Sequence, residues 1–389
     1  MAVENWVAKD IAELTEFRRD LHRNPELLYD VNRTAASVAE RLRAYGCDEV
    51  AEGIGQTGVV GVIMGRSNTS GRTIGLRADM DALPIHEETD AEWASTVPGK
   101  MHACGHDGHT TMLLGAAKQL CETRSFDGRV LVIFQPAEEG GAGADAMIKD
   151  GLFTRWPCDE VYGMHNRPNL PVGQFTINEG PIMGSVDSVK IVVEGVGGHA
   201  AMPHTTVDPM PIAAALIQAV QGMTSRSLDP MDSAVVSLCS IHGGDAFNVV
   251  PQEIEITGTV RTLREEVRDH IEGRLRTLVE QTCAAQGAKG HLEYTRMYPV
   301  TVNDPLGVER AAAAAVEVAG EDKVARDMPA SLGGEDFSFM LNEVQGAMIN
   351  VGNGPSAGLH HPKYDFNDDV IAWGCSYWTT LVRQRLPIT

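Results

Sequence analysis

The chain is poor in basic residues and in aromatic residues. Its 32 Lys and Arg face 53 Asp and Glu, which gives a formal net charge of −21, and aromatic residues make up 5% of the sequence. Because a strongly negative protein repels phosphate groups, we expect neither nucleic acid nor an anionic membrane as a partner. No stretch approaches the ~18 apolar residues of a membrane span, and no apolar segment follows Met1. These absences lead us to expect a cytoplasmic protein.

Cysteine is scarce and shows no regular spacing. The seven cysteines are odd in number, lie far apart and form no CxxC pair. This pattern argues against a disulfide framework and fits a reducing compartment. Internal repeats are absent as well.

Apolar runs alternate with helical patterns over the first 165 residues. Strands are predicted at 59–64, 73–78, 129–134 and 160–164, and helices at 11–21, 34–45, 109–121 and 144–149. Such alternation is typical of an α/β fold, here with a mostly parallel sheet flanked by helices.

The pattern changes near Ser185, where strands with alternating polar and apolar residues and two long helices follow one another. A length of 389 residues exceeds one ordinary core. We therefore predict a discontinuous catalytic domain, 1–184 and 297–389, and an inserted α+β domain, 185–296.

The stretch from Met101 to His109 concentrates side chains that bind zinc-like cations. It holds three histidines, a cysteine and an aspartate between glycines. Cys104 and His106 flank Gly105 and are the best pair for one metal centre. We expect His109, one turn into the following helix, to be structural.

Acidic residues follow two of the predicted strands, and ligands of open α/β sheets bind at the carboxyl ends of strands. Asp79 and Asp81 end one strand, and either could orient a ligand histidine. Glu138 and Glu139 follow another. One of these glutamates could bind metal while the other holds a water as general base.

Histidines supply further candidates. His165 follows a predicted strand, and His360 and His361 form a pair near the C-terminus. In the inserted segment, His199 lies in a glycine turn, where it could support an oxyanion. Asn248 and Arg261 are the other candidates of that segment, since an arginine suits capture of a substrate carboxylate.

These motifs together resemble the dinuclear metal-dependent aminoacylase and carboxypeptidase superfamily. The resemblance is greatest to its branch of hippurate hydrolases, N-acyl-amino-acid amidohydrolases and indoleacetyl-amino-acid hydrolases. The matching stretches are 77–84, 101–109, 135–140, 165–166, 197–204, 248–251, 258–262, 334–337 and 360–362. One local departure is Arg167, where this branch often carries tryptophan.

The resemblance implies two divalent metal ions per subunit, zinc first, with manganese, cobalt or nickel as alternatives. The implied metal ligands are Cys104, which bridges the two ions, with His106 and His165 on one ion and Glu139 and His361 on the other. Glu138 is the implied general base, and Asp81 the carboxylate behind the site. His199, Asn248 and Arg261 are implied as residues of a lid domain, 185–296, that closes on substrate and forms a homodimer or higher homo-oligomer.

The expected reaction is hydrolysis of the amide bond of an N-acyl-L-amino acid, hippurate-like or N-acetylated, a small-molecule substrate. A dipeptidase or carboxypeptidase of the same superfamily is the alternative. A cysteine hydrolase with Cys104 as nucleophile and His106 as base is a rival from another class. A binding protein on the same fold is disfavoured, because every ligand position and the base are filled.

Overall fold

Residues 5–388 are described in the computed structural model, and they divide into two units. The first unit takes in the described chain up to Gly180, then Val302–Pro329 and the chain from Asp336 onward. The second consists of Pro181–Thr301 and Ala330–Glu335. The first unit is therefore discontinuous in sequence. The roles of catalytic domain and lid stay predictions.

The first segment of the first unit alternates helices and strands. In chain order, its elements are α1 (Val7–Arg23), α2 (Asn32–Tyr45), β1 (Glu49–Ile54), β2 (Gly58–Met64), β3 (Thr73–Asp79), α3 (His106–Thr123), β4 (Arg129–Gln135), α4 (Gly143–Lys149), α5 (Leu152–Arg155), β5 (Glu160–Pro168) and β6 (Phe175–Thr176).

The second unit begins within β7 (Gly180–Met183) and consists largely of β-strands. Its further elements are β8 (Val186–Glu194), β9 (Gly198–His199), α6 (Pro209–Arg226), β10 (Ala234–His242), β11 (Val249–Val250), β12 (Glu253–Thr262), α7 (Glu265–Ala284) and β13 (Lys289–Tyr298). The remaining elements are β14 (Thr301–Asn303), α8 (Pro305–Ala319), β15 (Val324–Ala325), α9 (Phe337–Glu343), β16 (Gly346–Gly354) and α10 (Val370–Arg385).

One eight-stranded sheet organises the first unit, in the order β1-β2-β4-β3-β5-β16-β6-β15. Its central strands β4, β3, β5 and β16 are parallel neighbours, whereas β1 and β2 pair antiparallel at one edge. Strands β2, β3 and β4 are buried almost throughout, because α2, α3 and α10 pack against them, and α8 packs against β16 to complete an apolar core. The predicted α/β class with a mostly parallel sheet flanked by helices is confirmed.

The second unit has a separate apolar core. Its four-stranded antiparallel sheet has the order β10-β12-β8-β13, and α6 and α7 pack against it. The amphipathic alternation of β8 places Val189, Ile191 and Val193 on the buried face. Strand β13 was not among the sequence predictions, because its exposed and half-buried residues alternate without an apolar run.

Helix ends follow local chemistry. Helix α2 stops at Gly46, whose φ of 85° lies in the left-handed region that favours glycine. Helices α6 and α8 each begin with a proline after an aspartate, Asp208 or Asp304, whose side chain accepts a backbone N–H of the first turn. Over residues 5–388, none of the helices combines the length and apolar character needed to cross a lipid bilayer.

Candidate metal centre

The candidate ligands come from the carboxyl ends of neighbouring strands and from the start of one helix. Asp79 ends β3, Glu138 and Glu139 follow β4, and His165 lies near the end of β5. His106 is the first residue of α3, which begins after Gly105. Because β4, β3 and β5 are parallel neighbours, their carboxyl ends meet at one edge of the sheet.

Gly105 allows the chain to turn sharply between Cys104 and His106. Its φ is 88°, and a Cβ at this position would lie 2.4 Å from Nδ2 of Asn166 and 2.5 Å from the hydroxyl of Tyr364. The same Asn166 Nδ2 donates a 2.6 Å hydrogen bond to the carbonyl of Cys104. A side chain at residue 105 would therefore displace the contact that holds Cys104 in place.

Two groups of potential ligand atoms share Cys104. In one group, atoms of Cys104, His106 and His165 all lie within 4.8 Å of one another. In the other, atoms of Cys104, Glu139 and His360 do the same. Nδ1 of His165 lies 2.7 Å from the carbonyl oxygen of Asn166, so that Nε2, 3.4 Å from the Cys104 sulfur, is the nitrogen free to bind a cation.

The C-terminal histidine pair is placed differently from the sequence interpretation, which chose His361. His360 Nε2 lies 3.3 Å from Oε1 of Glu139. Both histidines are exposed, but His361 accepts the backbone N–H of Lys363 on its Nδ1 at 3.0 Å. His360 adopts a φ of 63°. We therefore replace His361 by His360 in the candidate ligand set.

The surroundings of Cys104 and His106 fit a bound cation. Within residues 5–388, neither ring nitrogen of the buried His106 has a hydrogen-bond partner, and the nearest carboxylate oxygens are 3.6 and 3.7 Å away. Burial favours the neutral ring, but the surrounding carboxylates, led by Asp79, raise the pKa of His106 to about 10. Burial, with Glu139 and Glu138, also raises the pKa of the Cys104 thiol. Both raised pKa values mean that the surroundings of Cys104 and His106 favour positive charge. A divalent ion supplies such charge.

Asp81 fixes the turn that carries the two glutamates. The buried Asp81 carboxylate accepts the backbone N–H of Glu138 at 2.9 Å and that of Glu139 at 3.1 Å. Ala137, just before them, has a φ of 55°. Adjacent glutamates on such a turn can serve different purposes. Atoms of Glu138 and Glu139 lie within 4.8 Å of each other and of His106.

His109 is held between an acid and a backbone amide. Its Nδ1 lies 2.6 Å from Asp79, and its Nε2 accepts the backbone N–H of Asn166 at 2.9 Å. Both nitrogens are thus engaged within the protein, in agreement with the structural role expected for His109. An oxygen of Asp79 also lies 3.7 Å from Nε2 of His106. The position of Asp79 at the end of a predicted strand was the feature of the sequence that indicated such a contact.

A buried ion network lies behind these residues. The Arg77 guanidinium donates to Asp79 at 2.8 Å, to Gln135 at 2.8 Å and to Asp336 at 3.0 Å. Although burial opposes ionisation, His106, Arg77 and His109 hold the pKa of Asp79 well below its usual range. The network therefore keeps a full negative charge at the end of β3.

The three candidates of the inserted segment lie in the second unit. Strand pairing brings two of them near each other, because Val249 pairs with His199 and the carbonyl of Asn248 accepts the N–H of Ala200 at 3.1 Å. Both His199 and Asn248 are exposed. Arg261 lies on a different sheet, near the end of β12, and donates to the carbonyl of Val260 at 3.0 Å.

Comparison with known proteins gives consistent matches. The model of peptidase family M20/M25/M40 matches residues 75–384. Hippurate hydrolase of Campylobacter jejuni is 40% identical over 96% of this chain and 97% of its own length. Thermostable carboxypeptidase 2 of Saccharolobus solfataricus is 38% identical over 96% of this chain and 93% of its own length. The solved structure of the Bacillus subtilis YXEP protein, described as a dinuclear metal binding peptidase from the M20 family, is 33% identical with a TM-score of 0.85, over 97% of this chain and 99% of that one. The chain belongs to peptidase family M20/M25/M40 and is an amidohydrolase that acts on amide bonds.

Proposed function

We propose that the protein hydrolyses N-acyl-L-amino acids, hippurate-like or N-acetylated, to a carboxylic acid and a free amino acid. Two divalent ions per subunit, zinc first, would be held by Cys104, His106, His165, Glu139 and His360. The observation that carries this proposal is the position of Cys104, whose sulfur belongs to both groups of ligand atoms. A thiolate in that position suits a ligand shared by two ions. The 40% identity to a hippurate hydrolase supports the substrate class.

When bound, the ions supply Lewis acidity, which lowers the pKa of water and polarises a carbonyl group. The buried Glu138 accepts the proton of the attacking water and returns it to the leaving amine. Asp81 holds the Glu138 backbone, so that the base keeps its position through both proton transfers.

We assign substrate recognition to the second unit. In this proposal Arg261 binds the free carboxylate of the substrate, Asn248 is a second substrate-binding residue, and His199 supports the oxyanion. The second unit also serves as lid and as the surface through which a homodimer forms. The protein is proposed to act in the cytoplasm.

A dipeptidase or carboxypeptidase is the second candidate, because a relative with 38% identity is named as a carboxypeptidase. The cysteine hydrolase is disfavoured, since burial and neighbouring carboxylates raise the pKa of Cys104. A nucleophilic cysteine needs the opposite shift.

The decisive experiment is a hydrolysis screen with defined metals added back to chelator-treated protein. We expect N-acetyl or N-benzoyl amino acids to be cleaved faster than dipeptides, and activity to return with zinc, manganese, cobalt or nickel. Faster cleavage of dipeptides would favour the second candidate. Full activity in the presence of excess chelator, with no bound metal, would overturn the proposal.

A further inference from the structure

Two cysteines that are distant in sequence lie next to each other where helices α2 and α3 of the first unit end. Cys47 directly follows Gly46, where α2 stops, and Cys121 lies in the last turn of α3. Their sulfur atoms are 3.5 Å apart. Formation of a disulfide bond requires the sulfurs to approach by about 1.5 Å further, a displacement within reach of side-chain rotation.

The two segments are held together independently of the sulfurs. Arg124, just after α3, donates to the carbonyl of Gly46 at 2.8 Å and to the carbonyl of Met64 at 2.8 Å. It also donates to the carboxylate of Asp48 at 2.7 Å. The residues on either side of Cys47 are thus tied to the end of the helix that carries Cys121. A bond between the sulfurs would link backbone segments that are already adjacent.

We propose that Cys47 and Cys121 are a modification site, a thiol pair that peroxides oxidise to a disulfide. The Cys121 thiolate attacks one oxygen of hydrogen peroxide and breaks the O–O bond. This forms a sulfenic acid, and the leaving hydroxide takes up a proton to become water. The Cys47 sulfur then attacks the Cys121 sulfur, and the sulfenic hydroxyl group leaves with the Cys47 proton as a second water. Two thiols and one peroxide thus give one disulfide and two waters.

The local electrostatics agree with this order of events. The hydrogen bond from Cys47, and then the charge of Arg124, lower the pKa of Cys121, although burial opposes the shift. The same hydrogen bond raises the pKa of Cys47, which therefore stays a thiol while Cys121 ionises. The attacking Cys121 is 7% exposed, and the half-buried Cys47 beside it leaves a path for a molecule as small as peroxide.

The pair is separate from the candidate metal centre. Helix α3 carries His106 at its first residue and Cys121 fifteen residues later. At 1.5 Å of rise per residue, the two positions are about 22 Å apart along the helix. Among residues 5–388, no other cysteine hydrogen-bonds to a second cysteine. We therefore expect oxidation at this pair before any other cysteine. This inference is independent of the proposed function.

The test uses the metal-loaded, full-length protein treated with a small excess of hydrogen peroxide. We expect the intact mass to fall by about 2 Da, as two protons are lost, and thiol titration after denaturation to fall from seven to five. Peptide mapping should recover a peptide linking Cys47 to Cys121, and dithiothreitol should restore both thiols. Because the bond closes a long loop, the oxidised protein should melt several degrees higher.

Matched variants decide the outcome. Cys47→Ser, whose hydroxyl can still donate to Cys121, should lose the 2 Da decrease and gain oxygen at Cys121 instead, and Cys47→Ala should lose the decrease as well. Cys239→Ser, which removes an exposed and isolated thiol, should retain the decrease. Melting curves before oxidation establish that each variant is folded. A linked peptide that lacks Cys47 or Cys121 would overturn the proposal. Oxygen addition without any linkage in the wild type, or a pair blocked by a bound soft metal, would do the same.

Discussion

The carboxylate of Asp81 accepts the backbone N–H of Glu138 at 2.9 Å, and its second oxygen accepts that of Glu139 at 3.1 Å. One buried side chain thus sets the direction of two adjacent glutamates. Burial is the main reason that the pKa of Asp81 is raised. Its charge is therefore costly and must be balanced by the groups around it.

Asp81→Asn should lower kcat/KM by about 10- to 100-fold, because an amide nitrogen would face one of the two backbone N–H groups. Steady-state kinetics and bound-metal analysis measure the effect. Asp127→Asn is the matched control, since Asp127 also accepts two backbone N–H groups, of Thr69 and Ser70, in a turn elsewhere. Equal kcat/KM in the two variants would contradict a positioning role for Asp81.

Glu138→Gln should reduce kcat by roughly 10²- to 10⁴-fold, the range expected for loss of a general base. Glutamine keeps the size of the side chain but cannot accept the proton. Metal content, measured by elemental analysis, should stay unchanged, because Glu138 is outside the proposed ligand set. Near-normal turnover in a metal-loaded Glu138→Gln protein would remove Glu138 from the mechanism.

His360→Ala and His361→Ala form a natural pair for testing the ligand set. We expect His360→Ala to lose about one metal ion per subunit, since His360 Nε2 lies 3.3 Å from Glu139. His361→Ala should keep both ions, because that ring contacts the Lys363 backbone. Metal stoichiometry after dialysis distinguishes the two. The reverse result would restore the sequence interpretation.

The replacement of His361 by His360 shows which part of the candidate site the sequence could not predict. The strand exits at Asp79, Glu138 and His165 were predictable, because buried strands are apolar and parallel strands end at one edge. Two adjacent histidines, by contrast, cannot be distinguished by residue type or by spacing. The structure distinguishes them by their contacts, His360 with Glu139 and His361 with the backbone of Lys363, and no local sequence pattern specifies these contacts. Strand β13 was missed for a similar reason, since its neighbours in the sheet rather than an apolar run define it.

His22 should make stability depend on pH. Its Nδ1 lies 2.8 Å from Asp107 and its Nε2 3.3 Å from Glu87. Burial opposes protonation, but Asp107 outweighs it and raises the pKa of His22 to about 9. Because the folded pKa lies above the ordinary 6.5, the stabilisation is complete below about pH 6.5 and is lost as the pH rises through 9.

A shift of this size corresponds to roughly 3 kcal/mol, at about 1.4 kcal/mol per pKa unit. Urea unfolding at pH 6, 7.5 and 9.5 measures it. His22→Gln should be less stable than the wild type at pH 6 and should show a flatter decline above pH 7. Parallel pH curves for the two proteins would exclude His22 as the titrating group.

Gly105→Ala should destabilise the protein more than Gly99→Ala. Both glycines have positive φ, 88° and 75°, so each substitution costs about 1–2 kcal/mol of backbone strain. A Cβ at residue 99 meets nothing within 4 Å, whereas one at residue 105 collides with Asn166 and Tyr364. The added overpacking should cost a further 1–3 kcal/mol or so. Since Asn166 holds the Cys104 carbonyl, Gly105→Ala should also lose metal affinity, which Gly99→Ala should retain. Equal melting temperatures and equal metal content in the two variants would mean that the Cys104–His106 turn tolerates a side chain.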